Sequence, residues 1–226
     1  MIDIHAHILH DVDDGSSTIE DSIEMLRESK RQGVDKIILT PHFRDEFICE
    51  KSELESRFEE LKAAVKDAGI DVELFLGREI RITRYFKEIL KDNCMAGTKY
   101  VLAEFDFDED TDIADTVYEI KRLGYKAIVA HIERYSYADI EDACAVKDEG
   151  GLIQVNANSL FLKAGIKVRR KANALIRAGL CDFIASDIHS SRKNLMGKAY
   201  KKVAKRHGVK TAERLFNINA KKLIKI

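Results

Sequence analysis

The chain is short of the residues that would place it in several common classes. It has 226 residues but one proline, Pro41, and no tryptophan, and no Pro/Gly/Ser-rich linker or composition break divides it. Its four cysteines, Cys49, Cys94, Cys144 and Cys181, stand far apart with no Cys-x-x-Cys pair, which argues against a thiolate zinc site and a thioredoxin-like motif. They read as free packing thiols. Charge of one sign is also missing: the formal net charge is -1, so a nucleic acid or an anionic membrane is not implied and any basic surface must be local. The longest apolar runs are strand-sized, and acids and histidine crowd the first fifteen residues, so neither a membrane span nor a secretory signal is expected there. The expected compartment is the cytoplasm.

With 45% hydrophobic and 34% charged residues, the composition is that of an ordinary globular protein. Apolar runs alternate with amphipathic stretches. Ile2 and Ile4 open a first strand, and Ser17 and Glu20 are spaced as a capping box ahead of a helix that Gly33 stops. A strand from Lys36 to Thr40 meets Pro41 and His42. Ser52 and Glu55 open a second helix ending near Gly69, followed by a strand from Val72 to Leu76 and then Gly77-Arg78-Glu79. Further strands are expected at Tyr100–Ala103 before Glu104, Lys126–Ala130 before His131, Leu152–Val155 before Asn156, and Asp182–Ala185 before Ser186-Asp187-Ile188-His189. Helices intervene, and lysine-rich helical material closes the chain. Seven strands alternating with helices imply one α/β domain, residues 1–226, with a parallel sheet. Only a closed ring gathers every C-terminal strand end around one centre, so the expected architecture is a distorted (β/α)7 relative of the TIM barrel.

Those strand ends carry the chemistry. His5 and His7, two apart, project from one face of the first strand's end. With Asp14, His42, Glu79, Glu104, His131, Asp187 and His189 they make nine nitrogen and oxygen donors, too many for one ion. Two or three divalent ions are implied; mixed imidazole and carboxylate without thiolate suits manganese, iron or zinc. Asp11 and Asp13 are read as solvated loop acids that favour the N-terminus of the next helix, and His10 and His207 are left over. Arg134 and Arg192, each three residues past a candidate ligand, suggest an anionic substrate, with phosphate matched by bidentate guanidinium contacts; each arginine could instead pair with a local acid such as Glu133. A cysteine phosphatase needs an arginine six positions after its cysteine. Here those positions hold Glu55, Tyr100, Gly150 and Asp187.

The opening Met1-Ile-Asp-Ile-His-Ala-His-Ile-Leu, Asp13-Asp14-Gly15, Thr40-Pro-His42, Leu102-Ala-Glu-Phe105, Ala130-His-Ile-Glu-Arg-Tyr135, Gln154-Val-Asn156 and Ala185-Ser-Asp-Ile-His189 resemble the PHP (polymerase and histidinol phosphatase) superfamily. Within it they are similar to the CpsB/CapC-type bacterial protein-tyrosine phosphatases. The resemblance implies a cytoplasmic, manganese-dependent enzyme that removes phosphate from tyrosine on the tail of a bacterial tyrosine kinase controlling capsule or exopolysaccharide export. It implies three ions: one on His5, His7, Glu79 and Asp187, a second on Glu79, Glu104 and His131, and a third on Asp14, His42 and His189. It also puts phosphate on Arg134 and Arg192, with His42 counted among the catalytic residues. A hydroxide bridging two metals would attack phosphorus in line while the third ion and the arginines stabilise the equatorial oxygens. The tail departs from the family, with Asn217-Ile-Asn219-Ala220 where relatives often have Asp-Asn-Pro. Two other readings remain: a small-molecule phosphatase of the histidinol-phosphatase kind, and a non-catalytic metal-binding docking domain. The oligomeric state is left open.

Overall fold

A computed structural model describes residues 1–107, 109–190 and 193–224. The first strand, β1 (Ile2–Ala6), pairs in parallel with β2 (Lys36–Leu39). The chain then breaks at Thr40-Pro41, because proline has no N–H to give to a ladder, and resumes as β3 (His42–Phe43). The third position in the ring is broken at the same level. There β4 (Glu73–Leu76) pairs with β2, the chain bends at Gly77-Arg78, and β5 (Glu79–Arg81) pairs with β3. A Cβ on Gly77 would lie 3.0 Å from the Met95 Cα, so any other residue would crowd the backbone at this bend. The remaining strands, β6 (Tyr100–Glu104), β7 (Lys126–Val129), β8 (Leu152–Asn156) and β9 (Phe183–Ala185), follow in order, each parallel to the last.

The ring closes between β9 and β1. Asp187 N donates to His5 O at 2.8 Å, His7 N to Ile188 O at 3.0 Å, and Ser186 N to the Asp3 carboxylate at 2.9 Å. Nine strands among the described residues therefore occupy seven ring positions, two of them interrupted. The architecture is the distorted (β/α)7 barrel.

Side chains alternate across this wall. Ile38, Leu102, Ile128, Phe183 and Ala185 form an inner apolar cluster, closed from below by Ala220, Leu223 and Ile224 of the C-terminal turns. The strand residues between them, such as Ile37, Val101, Val129 and Ile184, belong to the outer core beneath the helices. The departing Asn219 of the tail donates its amide to Asp182 O at 2.8 Å, fastening this plug. Strict alternation would put Ile2, Ile4 and Ala6 on one side, yet Ile2 and Ile4 are inside and Ala6 outside. A register shift between Asp3 and Ala6 absorbs the difference. That irregularity lets His5 and His7 face the interior above Ile4.

The helices are α1 (Ile19–Arg31), α2 (Lys51–Asp67), α3 (Phe86–Ile89), α4 (Ile113–Arg122), α5 (Ile140–Asp148), α6 (Ile166–Arg177), α7 (Met196–His207) and α8 (Val209–Glu213). Two expected caps are corrected. In α1 the capping side chain is Thr18, which accepts from Asp21 N, so the start lies one residue later than Ser17 and Glu20 imply. In α2 the N-cap is Glu50, without a side-chain cap bond, and Ser52 lies inside the helix. The capping box that does form is Asp139 with Asp142, at the head of α5.

All four cysteines are free: Cys49 and Cys181 are buried, Cys94 is half-buried and Cys144 is exposed. Burial pushes the Cys94 thiol up to about 11 and that of Cys181 well above its ordinary value. Alkylation of the native protein at neutral pH, followed by peptide mass mapping, should therefore modify Cys144 first and Cys181 only after denaturant is added. Prompt modification of Cys181 in the folded protein would contradict the packing described.

Candidate metal centre

Each strand end delivers one or two polar side chains to the barrel mouth, and they converge on a single carboxylate. Glu79, the first residue of β5, is 0% exposed. Its Oε2 lies 3.2 Å from His5 Nε2, 3.2 Å from His7 Nε2 and 3.0 Å from His42 Nδ1, while its Oε1 lies 2.8 Å from His131 Nε2. Glu104, at the end of β6, approaches the other side, with His42 Nδ1 at 3.8 Å and His131 Nε2 at 3.9 Å. Asp187 Oδ1 stands 3.7 Å from His5 Nε2, 3.6 Å from His7 Nε2 and 3.6 Å from His189 Nδ1. At the outer lip, Asp14 Oδ1 faces His189 Nε2 at 3.2 Å and His42 Nε2 at 3.5 Å. All nine sequence candidates thus meet in one place.

Ligand-type atoms close enough to share an ion form four sets among the described residues: His5, His7 and Asp187; His5, Glu79 and His131; His42, Glu79 and Glu104; and His7, Asp14, His42 and His189. Every residue in the three expected groups recurs, but the partition differs. His5 also joins His131, and His42 bridges the lip to the two glutamates.

The donor set fits cations. Glu79 Oε2, Glu104 Oε2 and His42 Nδ1 are buried and make no hydrogen bond, although two of them lie 3.0 Å apart. His5 Nε2 and His7 Nε2 face each other at 3.1 Å, while the opposite nitrogen of each ring is already committed. His5 Nδ1 donates to Gln154 Oε1 at 3.1 Å and His7 Nδ1 to Asp13 Oδ2 at 2.7 Å, which leaves both Nε2 lone pairs turned to the centre. Acceptors aimed at acceptors in a dry site are costly unless something positive lies between them.

Without an ion, the same crowding shifts the titrating groups. Burial alone would raise Glu79, but the imidazoles of His5 and His42 outweigh it and hold the carboxyl well below its usual range. Burial opposes protonation of His7 too, yet Asp13 and Glu79 hold that imidazole well above its usual value. Burial and then the neighbouring Glu79 charge push Glu104 up. Asp187 is depressed against its burial, chiefly by His5 and His131.

Asp13 corrects the sequence reading. Its side chain is sealed from solvent, accepts from His7 Nδ1, His42 N and Gly15 N, and its pKa is lowered to about 2: burial acts upward, but His7 beside it prevails. Only Asp11 behaves as a solvated loop acid, paired at 2.9 Å with Arg57. Gly15 makes the Asp13 loop possible, since a Cβ there would fall 2.2 Å from His7 O. His10 lies apart, with its Nε2 3.2 Å from Glu60. The sequence reading quoted Gln154-Val-Asn156 only as a family-like segment and gave neither residue a role, although Gln154 accepts from His5 and the Asn156 amide donates to Asp187 Oδ2 at 2.6 Å. It missed two arginines as well. Arg44 reaches Asp14 at 3.3 Å and Arg81 reaches Glu104 at 3.5 Å, while Arg134 reaches Asp187 Oδ2 at 3.3 Å rather than Glu133. Arg44 and Arg81 each follow a strand-end candidate by two residues, the spacing that keeps side chains on one face of a strand. Arg192 lies outside the described residues.

A family model described as capsular polysaccharide synthesis, CpsB/CapC, matches residues 1–225. The chain belongs to the CpsB/CapC family. It is 32% identical, over 250 residues, to the tyrosine-protein phosphatase CpsB of Streptococcus agalactiae, covering 100% of this chain and 98% of that protein. It is 32% identical over 197 residues to the tyrosine-protein phosphatase YwqE of Bacillus subtilis, covering 84% and 78% of the two chains. Crystallographic work on YwqE and on CpsB from Streptococcus pneumoniae, described as metal-dependent tyrosine phosphatases, provides a structure that superposes with a TM-score of 0.87 at 30% identity, over 94% of this chain and 90% of that one. A histidinol phosphate phosphatase from Lactococcus lactis shares the fold, with a TM-score of 0.60 at 15% identity over 93% of each chain.

Two members of the CpsB/CapC cluster carry backbone strain. His131 and Asp187 hold positive φ, 31° and 48°, a region that disfavours any residue with a Cβ. Removing the Asp187 carboxylate in two ways should separate strain from chemistry. In urea unfolding of metal-free protein, Asp187→Gly should be more stable than Asp187→Ala by about 1 kcal/mol. Equal stability of the two variants would contradict a left-handed residue there.

Proposed function

We propose that this chain is a metal-dependent protein-tyrosine phosphatase, acting as one domain over residues 1–226. The observation that carries the proposal is the convergence of His5, His7, His42 and His131 on Glu79 within 2.8–3.2 Å, with buried donor atoms left unbonded. The names of the family relatives point to the same activity. His5, His7, Asp14, His42, Glu79, Glu104, His131, Asp187 and His189 would hold two or three divalent ions. Manganese is the favoured metal, and iron and zinc suit the same donors. When bound, the ions supply Lewis acidity, which makes water a competent nucleophile at neutral pH and neutralises phosphoryl oxygens.

The chain's own groups do the rest. Asp13 and Gln154 accept hydrogen bonds from Nδ1 of His7 and His5 and so fix the ring orientation. Arg134 lies at the lip, its side chain 33% exposed, with the guanidinium stacked 4.6 Å from the centroid of Phe107 and one edge on Asp187. An incoming phosphoryl group meets this planar fork first, and Arg134 stabilises the charge that develops on the equatorial oxygens. Arg192 is assigned the same role from its place after His189. None of the four cysteines belongs to the donor sets, so no thiol nucleophile is invoked. The leaving phenolate of tyrosine has a pKa near 10 and needs little help from a general acid.

The substrate is a tyrosine-phosphorylated protein, the tail of a bacterial tyrosine kinase that regulates capsule or exopolysaccharide synthesis. The cytoplasm is the proposed compartment, since four free cysteines suit a reducing environment. Among the described residues no helix is long and apolar enough to cross a membrane.

Hydrolysis of a tyrosine-phosphorylated peptide should vanish with chelator and return with manganese. Arg134→Ala should lower kcat/KM roughly 100-fold or more while metal content, read by elemental analysis, stays at the wild-type level. A preference for histidinol phosphate over the peptide, or loss of metal from Arg134→Ala in step with activity, would overturn these assignments.

A further inference from the structure

The net charge of -1 conceals a strong segregation. Residues 1–149 hold 20 Lys and Arg against 36 Asp and Glu, whereas residues 150–226 hold 18 against 3. Among the described residues, every Lys or Arg side chain with a carboxylate within 4.0 Å lies before residue 150. The later cations among those residues are not held in ion pairs; Lys171, Lys202 and Arg214 donate to backbone carbonyls, and Lys163, Lys167 and Arg170 are exposed.

The cations of 163–177 and 193–206 line one side of the molecule. The segment 157–165 leaves the end of β8, where Asn156 binds Asp187, so it starts at the mouth of the barrel. Along it runs one stripe of α7, Lys198, Lys202 and Arg206, spaced four apart. Lys198 shares a hollow of about 690 Å³ with Phe161, Leu162 and Lys163. Lys202 lies 4.5 Å above the Phe161 ring, and Arg206 donates to Asn173 Oδ1 at 3.1 Å beside Arg170 and Arg177 of α6. Within this basic field stand two large apolar side chains with nothing over them, Leu162, 65% exposed, and Ile166, 56% exposed.

We infer that this face, with Leu162 and Ile166 at its tip, docks the protein peripherally on an anionic lipid bilayer. A bilayer meets both features at once: its headgroup plane attracts dispersed lysines and arginines, and its interface accepts the leucine and isoleucine. A phosphodiester backbone offers the apolar pair nothing, and a polyanion wrapping the molecule would meet the acidic two-thirds of the chain, whereas a flat surface touches one side only. Docked this way, the barrel mouth sits beside the lipid surface. Docking of this kind does not depend on the reaction catalysed there.

Co-sedimentation of the full chain with phosphatidylcholine vesicles, pure or mixed with phosphatidylglycerol, tests it. Wild type should partition onto the mixed vesicles, lose binding as salt rises, and ignore pure phosphatidylcholine. Lys163→Glu with Arg170→Glu and Lys198→Glu should weaken partitioning by roughly tenfold or more. Leu162→Ser with Ile166→Ser should weaken it while leaving the salt dependence. Lys62→Glu with Lys121→Glu, on the acidic part of the chain, should bind as wild type does, and thermal unfolding identifies any variant that has lost its fold. Failure of wild type to sediment with anionic vesicles, sedimentation unchanged in the folded triple variant, or tighter binding of duplex DNA or an acidic peptide than of vesicles would overturn the inference.

Discussion

An ionised carboxylate sealed from water needs positive charge around it, and the side-chain atoms that face Glu79 within 3.2 Å are imidazole nitrogens. Four histidines from three different positions in the ring crowd its two oxygens. None could be brought there by local sequence alone, since His5 and His131 are 126 positions apart. The closed barrel is therefore the precondition of the centre. The inner cluster of Ile38, Leu102, Ile128 and Phe183 fills the lower ring with apolar volume, and polar side chains occupy only the level above it. The change from one to the other takes place at the breaks in the strands. The shift after Asp3 and the bends at Thr40-Pro41 and Gly77-Arg78 re-aim the residues that follow them, which are His5, His42 and Glu79.

A surrounding layer keeps this arrangement in register. Asp13, Gln154 and Asn156 occupy the hydrogen-bonding atoms that face away from the centre, and Arg44, Arg81 and Arg134 hold Asp14, Glu104 and Asp187 from the rim. The price of that order appears in the backbone, where His131 and Asp187 hold positive φ.

Much of this was legible in the amino-acid order, because a strand ending in a ligand is a local pattern. Ile128-Val129 before His131 and Phe183-Ile184-Ala185 before Asp187 display it in a few residues, and Gly33, Gly124 and Gly179 mark helix ends by their freedom at positive φ. Features that depend on distant partners were not legible. Asp13 has the appearance of a solvated loop acid until the close approach at Gly15 folds its loop onto His7. Gln154 is one polar residue inside an apolar strand, and its importance lies in reaching His5 and the backbone N–H of His131 together. Caps slipped because Ser16-Ser17-Thr18 offers three successive hydroxyls and propensity does not choose among them. The basic face was hidden by a sum, since a net charge near zero says nothing about where the charges lie.

If Glu79 is the shared hub of a cation cluster, its negative charge, not its shape, holds the ions. Calorimetric titration of manganese(II) into metal-free wild type and Glu79→Gln tests this most directly, because the amide nearly preserves volume and removes the charge. A charged hub predicts more than one bound ion per wild-type chain and a variant that loses at least one of them, with the remainder bound more weakly. A variant that takes up the same number of ions with the same affinity would contradict it.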